Sequence, residues 1–480
     1  MKFGLSDDQL RQIQAILSKY PAITEAVVFG SRAMGNYKEA SDVDVALKGN
    51  VTLSMVADVK YALEEDSYLP FFFDIIAYGI IDAPKLKEHI DKYGEVLYRA
   101  GWMERKLSEV ASLVKDTCTP KPGNHLPYIG LEHIQEQGLR LLGVGDSDSV
   151  TSHKFCFKPN DVLFGKLRPY FRKVVKPDFA GVCSTDIWVV RAREGSDQNF
   201  IFYFFANQEF VDTANSGDSG TRMPRADWNF LKEISWQFPP LPEQRAIAAV
   251  LSSLDNKINL LHCQNKTLEE MASALWRKMF VDEANSEWEM ATIAEVATIN
   301  GEGIDKNYAF SEIEYLDTGS ITEGRVSEYQ HLQLKDAPSR AKRIVRKNDI
   351  VVSMVRPVQK HYGILKKVKP NTIVSTGFVV ISCHKIDPHF VYLLLTQEEM
   401  TESLDIIAEA STSTYPSLAP SDIAGIEFQM PPVELLQHFS EYAEHVWDKI
   451  EENNSQIRTL SRFRDTLLPK LISGEVRVAL

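Results

Sequence analysis

An internal repeat is the feature that most constrains how this chain can fold. From Trp102 onward the sequence aligns with itself at an offset that drifts from 186 to 192 residues. The segment "KPNDVLFGKLRP" corresponds to "RKNDIVVSMVRP", so that Asn160-Asp161 matches Asn348-Asp349 and Arg168-Pro169 matches Arg356-Pro357. Solenoid repeats have periods of about 20–50 residues, and this one is several times longer. The sequence therefore predicts two copies of one domain.

Each copy ends in a long helical stretch that follows a Pro-Pro pair, in "QFPPLPEQRAI" and in "QMPPVELLQHF". Apolar or small residues then recur at alternating intervals of three and four, which is the heptad pattern of a coiled coil. One polar residue, Asn265, interrupts the first seam, and Asn453 and Arg464 interrupt the second. The apolar seam positions are 251, 254, 258, 261, 268, 272, 275 and 279 in the first helix and 443, 446, 450, 457, 460, 467 and 471 in the second.

The two asparagines predict how these helices pair. If Asn265 lies opposite Asn453 in an antiparallel pair, Leu261 meets Ile457 and Leu268 meets Ile450, so that apolar positions face each other. A parallel pairing of equivalent positions buries each amide against an apolar side chain, at a cost of about 1–3 kcal/mol. We therefore predict an antiparallel coiled coil whose register is fixed by an Asn265–Asn453 layer. The alternative is two amphipathic helices that each pack on their own domain.

The predicted helix pair has the dimensions of a spacer. The first seam, from 247 to 279, extends roughly 48 Å at about 1.5 Å per residue. A spacer of that length can hold two domains about one turn of a DNA duplex apart, roughly 34–36 Å.

Charge is unevenly distributed along the chain. The net charge is −13, which by itself argues against a nucleic-acid partner. However, residues 154–176 carry seven Lys or Arg against one Asp, and residues 340–369 carry ten against one. These segments occupy equivalent positions in the two copies, which favours a shared polyanionic ligand over two unrelated solvated faces. We expect both to contact double-stranded DNA, through Lys166, Arg168, Arg172, Lys173, Arg340, Lys342, Arg343, Arg356 and Lys360.

A Gly/Ser-rich loop, "GDSGTRMPRADW" (217–228), adds Arg222 and Arg225 as candidate base-reading residues. Arginine can donate two hydrogen bonds to guanine. The equivalent loop of the second copy, "ASTSTYPSLAPSD", has no arginine, so both loops can equally be plain connections.

The first hundred residues have a different character. "EAVVFG" is typical of a short strand that ends at Gly30, and a helix start after Gly30-Ser31 offers free N–H groups that suit phosphate. In "SDVDVAL" the alternation places Asp42 and Asp44 on one face of a strand, and "FFFDIIAYG" presents Asp74 from a second strand. Three converging carboxylates repel one another unless a cation lies between them, and Mg²⁺ shared with substrate phosphates is the usual solution.

This pattern resembles the minimal nucleotidyltransferases of the DNA polymerase β superfamily over residues 5–98. Gly30, Ser31 and Arg32 fall where the family binds the nucleotide, and Asp42, Asp44 and Asp74 fill its three acidic positions. The resemblance implies that these aspartates are catalytic and hold Mg²⁺, and that the substrate is an NTP such as ATP. In the toxin–antitoxin branch of the family the nucleotidyl group goes to a protein side chain. The acceptor in this chain is open.

Residues 102–475 resemble the specificity subunit of Type I restriction–modification systems. The resemblance rests on the two tryptophan starts, on "KPNDVLFGKLRP" and on "PPLPEQRAI". The second copy lacks the Glu-Gln pair of that last motif, which makes equal docking at the two ends doubtful. The family implies two target-recognition domains that read the halves of a split DNA target, two methyltransferase subunits on the spacer helices, and a restriction translocase–nuclease subunit. It also implies no chemistry and no cofactor in the specificity subunit, since S-adenosylmethionine belongs to the methylase.

Together these observations predict a multi-domain α/β protein. A small α/β nucleotidyltransferase domain (1–100) precedes two repeated α/β target-recognition domains (101–240 and 287–432), each followed by a spacer helix (241–286, and 433–480 with the tail). The five cysteines are far apart in sequence with no CxxC pair, which argues against zinc and disulfides and favours a reducing cytoplasm. The apolar run "YLPFFFDIIAYGII" is shorter than the ~20 residues of a membrane span, so we expect no membrane partner.

The leading functional hypothesis is a DNA-specificity subunit with a fused nucleotidyltransferase. One alternative makes protein nucleotidylation the main activity, with the repeats addressing it to DNA and the methylase. Another is a decoy that occupies methylase subunits and reads no DNA. Almost no linker separates the first domain from the repeats, so we expect it to be held rigidly, with the C-terminal tail beside residues 95–105.

Overall fold

A computed structural model describes residues 2–38, 41–216, 223–411 and 416–478. The chain divides into two compact units, one formed by Met1–Ser253 with Arg464–Leu480 and the other by Leu254–Phe463. Among the described residues, no helix is both long enough and apolar enough to cross a membrane.

The N-terminal domain is a four-stranded mixed sheet covered by helices. Its strand order is β3-β2-β1-β4; β2 and β3 run parallel, and β1 is antiparallel to both β2 and β4. Ser6 caps the first helix, and its hydroxyl accepts a hydrogen bond from the N–H of Gln9. The elements are α1 (Asp7–Leu17), β1 (Ile23–Phe29), α2 (Gly30–Ala33), β2 (Val43–Gly49), α3 (Leu53–Glu64), β3 (Phe73–Ala77), α4 (Pro84–Tyr93) and β4 (Glu95–Arg99).

Successive side chains along β2 point to opposite faces of the sheet, and each face packs into a different hydrophobic cluster. Val43, Val45 and Leu47 point into the core shared with α1 and α3. Ala46 points to the opposite face, into a smaller cluster with Ile90 of α4. Asp44 lies on that second face, so the carboxylates share it with α4.

The first repeat copy (residues 103–238, hereafter copy 1) contains two sheets of order β7-β10-β13-β8-β9 and β12-β11-β14-β6, while β15 pairs with β5. A phenylalanine-rich helix, α6, is buried almost all round in its core. The elements are β5 (Met103–Lys106), α5 (Leu107–Val110), β6 (Ala111–Val114), β7 (Thr117–Cys118), β8 (Pro127–Ile129), β9 (Gly145–Asp146), β10 (Lys154–Phe157), β11 (Val162–Gly165), β12 (Val174–Val175), β13 (Gly181–Cys183), β14 (Ile187–Ala192), α6 (Gln198–Ala206), α7 (Gln208–Ser216), α8 (Trp228–Leu231) and β15 (Ser235–Phe238).

A long helix, α9 (Leu241–Arg277), leaves copy 1 and continues as a π-helical turn at Lys278–Asp282. The second repeat copy (residues 290–429, hereafter copy 2) follows, and α14 ends the chain. Its elements are β16 (Met290–Thr292), α10 (Ile293–Val296), β17 (Ala297–Ile299), β18 (Glu312–Leu316), β19 (Ile321–Thr322), β20 (Arg325–Val326), β21 (Gln330–Gln333), β22 (Ala341–Ile344), β23 (Ile350–Ser353), β24 (Tyr362–Ile364), β25 (Thr372–Ser375), β26 (Phe378–Cys383), α11 (Pro388–Thr396), α12 (Glu398–Glu409), α13 (Pro420–Ala424), β27 (Glu427–Gln429) and α14 (Val433–Ile472).

Most elements of copy 1 recur in copy 2. The sheet order β12-β11-β14-β6 of copy 1 recurs as β24-β23-β26-β17 in copy 2, and the parallel pair β8–β13 recurs as β18–β25. Asn160 and Asn348, which match in sequence, both have a φ of +69°. The side chains of Asp161 and Asp349 each accept a 2.7 Å hydrogen bond from the main-chain N–H of the residue three positions earlier. The repeat seen in the sequence is therefore a repeat of structure.

Two cysteines that are distant in sequence are neighbours in copy 1. The Sγ atoms of Cys118 on β7 and Cys156 on β10 lie 3.0 Å apart, and both thiols are free. Burial and the neighbouring thiol raise the pKa of Cys156 to about 11, which keeps it protonated and unreactive at neutral pH. Spacing along the chain did not predict this contact, since sheet pairing creates it.

Candidate functional site

The carboxylate cluster lies where β2 and β3 begin. Asp44 and Asp74 are directly paired across the parallel strands, and Asp42 precedes β2 by one residue. Burial raises the pKa of Asp44, and the charges of Asp74 and then Asp42 raise it further. Asp44 therefore lies within electrostatic range of both other aspartates, although the oxygens of all three do not come within 4.8 Å of one another. Carboxylate oxygens are the ligand type that a hard divalent cation such as Mg²⁺ takes.

Gly30 permits the close approach of the next strand. Its φ is +71°, and a Cβ atom at this position would collide with Oδ2 of Asp44. Glycine is therefore required here both by the backbone conformation and by the space beside the carboxylate. Ser31 follows in the first turn of α2, half-buried, and its hydroxyl has no hydrogen-bond partner among the described residues.

Arg32 does not occupy a position from which it can bind a nucleotide, which corrects the prediction from its place in the motif. Its guanidinium is only 2% exposed and donates to main-chain carbonyls of Phe3 (2.8 Å), Ser41 (3.0 Å) and Asp42 (3.1 Å). The rings of Tyr37 and Phe71 lie 5.1 and 5.0 Å from it. Arg32 thus fixes the backbone that presents the Asp42 carboxylate.

The three consecutive phenylalanines before Asp74 have three different environments. Phe71 packs on Arg32, and Phe73 is buried in the core. Phe72 is 74% exposed, and the alternation along the strand places it on the same face as Asp74. Because β3 is an edge strand, this ring stands at the open side of the carboxylate cluster.

The N-terminal domain is joined to copy 1 and to the C-terminal tail by a polar cluster. Arg99, the last residue of β4, donates to Glu25 Oε2 at 3.0 Å and to the carbonyl of Ser473. The guanidinium of Arg99 also lies over the Trp102 ring, 5.4 Å from its centroid. The tail is therefore beside residues 95–105, and the first domain is fixed rather than tethered.

Glu243, from the Glu-Gln pair of "PPLPEQRAI", completes this junction. It is fully buried, accepts a hydrogen bond from the Trp102 indole at 3.1 Å, and forms a two-bonded ion pair with Arg477 at 3.0 and 2.9 Å. The equivalent residue of copy 2 is Leu435, which makes no such bonds. Arg99, Glu243 and Arg477 were not predicted as functional residues; the only sequence signal was that the Glu-Gln pair occurs in one copy.

The two long helices meet at the asparagines. Asn453 Nδ2 donates to Asn265 Oδ1 at 2.8 Å, and Asn265 Nδ2 donates to Asn454 Oδ1 at 2.8 Å. Asn265 and Asn453 are both buried. In the same unit Ala272 and Trp276, late in α9, belong to the same hydrophobic cluster as Ala443 and Val446, early in α14.

The basic segment of copy 1 divides into exposed and structural side chains. Lys166 and Arg168 are half-exposed. Arg172 is 8% exposed and donates to the Gln137 carbonyl at 2.5 Å and to Asp465 of α14 at 3.4 Å. Lys173 donates to the Leu131 carbonyl at 2.9 Å and pairs with Glu136. The prediction that Arg172 and Lys173 contact DNA is corrected, since their donors are used within the protein.

The basic segment of copy 2 is more open. Arg340, Lys342 and Arg356 are exposed, whereas Arg343 is half-buried with a pKa lowered by burial. Lys360 pairs with Glu323 at 3.6 Å. In the loop of copy 1, Arg225 is exposed and pairs with Asp186 at 3.3 Å. Arg222 lies outside the described residues.

Both segments contain the same unusual backbone. A short 3-10 turn, Pro169–Phe171 or Pro357–Gln359, is flanked on each side by a basic residue in the left-handed region. The flanking φ angles are +52° and +47° at Arg168 and Arg172, and +49° and +54° at Arg356 and Lys360. Non-glycine residues adopt this region at a cost, which persists only where surrounding structure enforces it. The Arg-Pro pairs in the sequence mark the turns, but their left-handed flanks were not predicted.

The chain thus joins a small domain that carries three aspartates at its strand ends to two copies of one sheet domain, each followed by a long helix, as the two resemblances of its sequence imply. Comparison with known families agrees. Residues 99–270 and 285–457 match the Type I restriction modification DNA specificity domain, and the chain belongs to that family. Residues 11–101 match the family described as Polymerase beta, Nucleotidyltransferase.

Several specificity subunits of Type I restriction enzymes are similar to this chain over more than half of its length. The Type I restriction enzyme MjaIX specificity subunit of Methanocaldococcus jannaschii is 25% identical over 317 residues, 60% of this chain and 71% of the relative. The MjaVIII specificity subunit of the same organism is 22% identical over 74% of this chain and 87% of its own length. A crystal structure of the Type I system S subunit from M. genitalium aligns with 77% of this chain and 96% of its own at 17% identity, with a TM-score of 0.48.

Proposed function

We propose that this protein is the DNA-specificity subunit of a Type I restriction–modification complex and reads a bipartite target in double-stranded DNA. The observation that carries the proposal is the match of both copies to the specificity family, each with a basic segment at the same place. We expect phosphates and bases to be contacted by the half-exposed Lys166 and Arg168 and by the exposed Arg340, Lys342 and Arg356.

The two halves of the target differ in this proposal. Arg225 belongs to copy 1, whereas the corresponding loop of copy 2 contains no arginine. Base choice depends on which donors and acceptors reach the groove edges, so two different loops read two different half-sites. A non-palindromic target follows.

The helices α9 and α14 serve as spacer and platform. With 37 and 40 residues they extend about 55–60 Å, at about 1.5 Å per residue. We propose that they pair as an antiparallel coiled coil, that the asparagine layer fixes its register, and that two methyltransferase subunits bind them. A restriction translocase–nuclease subunit then joins the complex in the cytoplasm. S-adenosylmethionine belongs to the methylase.

The N-terminal domain is a Mg²⁺-dependent nucleotidyltransferase in this proposal, with ATP as the expected nucleotide. With this order of strands the parts of the site lie side by side: Gly30 and Ser31 follow β1, Asp42 directly precedes β2, Asp44 lies in β2, and Asp74 lies in β3. The N–H groups after Gly30 bind the leaving phosphates, and Asp74 accepts the proton of the attacking hydroxyl. Mg²⁺ held by the aspartates supplies charge neutralisation at the phosphate. Since in-line attack comes from the side opposite the leaving group, the acceptor approaches over the β3 edge, past Phe72.

A second candidate function makes this transfer the main activity, with the repeats delivering it to methylase-bound DNA. The complete set of Gly30, Asp42, Asp44 and Asp74 favours it, because a purely structural appendage has no need to hold three repelling carboxylates together. Its acceptor is then a subunit of the same complex or another protein.

Methylation mapping tests the proposal. Whole genomes are sequenced for modified bases from cells that carry this chain with its methylase, and from cells that carry the methylase alone. The proposal predicts one split motif with a constant gap that appears only with this chain. Absence of any chain-dependent motif would contradict it and would favour a decoy that occupies methylase subunits.

Label transfer separates the two candidate functions. The chain is incubated with Mg²⁺, α-labelled ATP or other NTPs, and purified methylase or restriction subunits. Label in a partner protein that disappears in Asp42→Ala/Asp44→Ala supports the transferase as a working activity. If no nucleotide labels any partner, while methylation remains chain-dependent, the domain acts in nucleotide sensing or regulation.

A further inference from the structure

Copy 1 contains a cavity that none of the functions above uses. It measures about 260 Å³ and opens between α5, β6, the residue after β14 and α8. Its lining includes three cations and several neutral polar groups beside one indole: Lys115, Arg193, Lys232, Ser112, Asn229 and Trp228. No carboxylate lines it.

The walls of this cavity are fixed by main-chain bonds. The N–H of Arg193 donates to the Val110 carbonyl at 2.9 Å, and the N–H of Ser108 donates to the Lys232 carbonyl at 3.1 Å. Trp228 packs edge-on against Trp188, with ring centroids 5.7 Å apart. The cations therefore extend from a rigid frame rather than from a mobile loop.

The three cations have no ion-pair or hydrogen-bond partner within the part of the chain that the structure describes. The acidic neighbour of Lys232, Glu233, is engaged by Lys106 at 2.7 Å. The chain as a whole has a net charge of −13, so these three cations form a local positive region on an acidic protein. Like charges gathered at one concave site raise the potential there and attract an anion.

The cavity is specific to copy 1. The pairing of β6 with β14 and of β17 with β26 aligns Lys115 with Gly301 and Arg193 with His384. Equivalent main-chain bonds, from Leu107 to Ile234 and from Ile293 to Ile426, align Lys232 with Ala424. None of the three cations recurs as Lys or Arg, so the cavity is not part of what the two copies share.

We infer that this cavity binds the phosphate group of a nucleotide, with the base resting against Trp228. Arg193 and the two lysines supply charge-assisted donors, and Ser112 and Asn229 add neutral ones, a density of donors that suits a tetrahedral oxyanion. The volume leaves room beyond the phosphate, and the indole offers a planar apolar surface for a base. The nucleotide is either free or part of a DNA strand, since both carry this group.

Metal-free binding measurements test the inference on the full chain. All variants are made in the Asp42→Ala/Asp44→Ala protein, called the background protein, and EDTA is present. The carboxylate site then does not contribute to binding of the probes. The probes are AMP, inorganic pyrophosphate and a DNA duplex, titrated by calorimetry. The binding variant is Lys115→Gln/Arg193→Gln, because both side chains are exposed and unpaired and their change leaves the fold intact. Lys121→Gln, another exposed lysine of copy 1, is the matched control.

The free-nucleotide arm predicts that AMP and pyrophosphate bind the background protein and the control alike. The double variant weakens both at least about tenfold, as expected for loss of two charge-assisted contacts. Trp228→Leu weakens AMP but not pyrophosphate. The DNA arm predicts instead that the free probes do not bind, and that the double variant lowers the slope of log affinity against log salt by about one or two.

The inference is overturned if the double variant changes neither arm relative to the control. It is also overturned if the effect on AMP is equal in Lys121→Gln, which would indicate general charge attraction. Neither result bears on the carboxylate site, since the aspartates are absent from the background.

Discussion

At the scale of residues, the nucleotidyltransferase-type site brings like charges close together, which disfavours ionisation of Asp44. Asp44 sits half-buried beside two like charges, and burial, Asp74 and Asp42 all raise its pKa. Gly30 gives the carboxylate the room it needs, and Arg32 holds the backbone of Asp42 from behind. The backbone at the carboxylate cluster is therefore held in place by a buried cation whose donors bond main-chain carbonyls.

Gly30→Ala should abolish nucleotidyl transfer. The added methyl group collides with Oδ2 of Asp44, and alanine at a φ of +71° is strained. We expect the carboxylate to be displaced and Mg²⁺–ATP affinity to fall at least tenfold by calorimetry. Gly35→Ala is the matched control, because Gly35 also has a positive φ (+74°) but open space around it. Equal losses in both variants would show that backbone strain, not the contact with Asp44, is responsible.

Asp44→Asn should stabilise the metal-free fold while removing activity. Because the folded-state pKa of Asp44 is raised above the unfolded value, the folded form binds protons more readily there. The ionised Asp44 carboxylate therefore lowers the free energy of unfolding at pH values above the raised pKa. This destabilisation disappears as the pH falls through that pKa. In EDTA at pH 7 we expect a higher Tm for Asp44→Asn than for wild type, with the difference shrinking at acidic pH. A lower Tm at pH 7 would contradict the electrostatic account.

At the scale of elements, features that depend on local sequence pattern could be predicted, whereas contacts between residues distant in sequence could not. The 186–192-residue offset predicted two copies, and period-two alternation predicted that Asp42, Asp44 and Asp74 share a sheet face, because both depend on sequence order alone. The failures concern partners that are distant in sequence. Arg172 lies in a run of basic residues, yet its side chain is buried and donates a hydrogen bond to Asp465, 293 residues later in the sequence. Arg32 fits its motif, yet main-chain carbonyls use its donors. Tertiary packing determines whether a cation is exposed, and a run of basic residues in the sequence does not reveal that packing.

The asparagine contact between α9 and α14 predicts a double-mutant signature. Asn453→Leu leaves Asn265 partly unpaired in a buried seam, so we expect a loss of about 1–3 kcal/mol in the free energy of unfolding. Asn265→Leu/Asn453→Leu should regain most of it, since two apolar residues can pack together. Chemical denaturation measures both, and Asn259→Leu, at an exposed position of α9, should have little effect. A double variant less stable than either single one would refute the paired layer.

Glu243 predicts that the tail contributes to the stability of its own unit. It is buried and bonds both Trp102 and Arg477, so Glu243→Gln should cost ~2 kcal/mol, the scale of hydrogen bonds to a charged group. Glu233→Gln is the control, because its pair with Lys106 is half-exposed on both sides and such pairs contribute little. Thermal unfolding of both variants is the measurement. Equal and small effects would show that the tail is only loosely attached.

At the scale of the whole molecule, the order of the chain and its contacts place the added domain firmly in the first unit. Its last strand bonds the tail through Arg99, and Glu243, at the start of α9, bonds both Trp102 and Arg477 of the tail. The carboxylates lie at the other end of β1 from Glu25, since Asp44 pairs with Phe29, four residues or ~14 Å away. The carboxylate cluster is therefore separated from the Arg99 junction along the length of β1.

The most direct test of the central claim varies the gap between the two half-sites of the target found by methylation mapping. Duplexes with the native gap, and with one to five base pairs more or fewer, are titrated with the complex of this chain and its methylase. A specificity subunit that reads a bipartite target binds the native gap and loses affinity sharply for every other length. Affinity that does not depend on the gap would contradict the account.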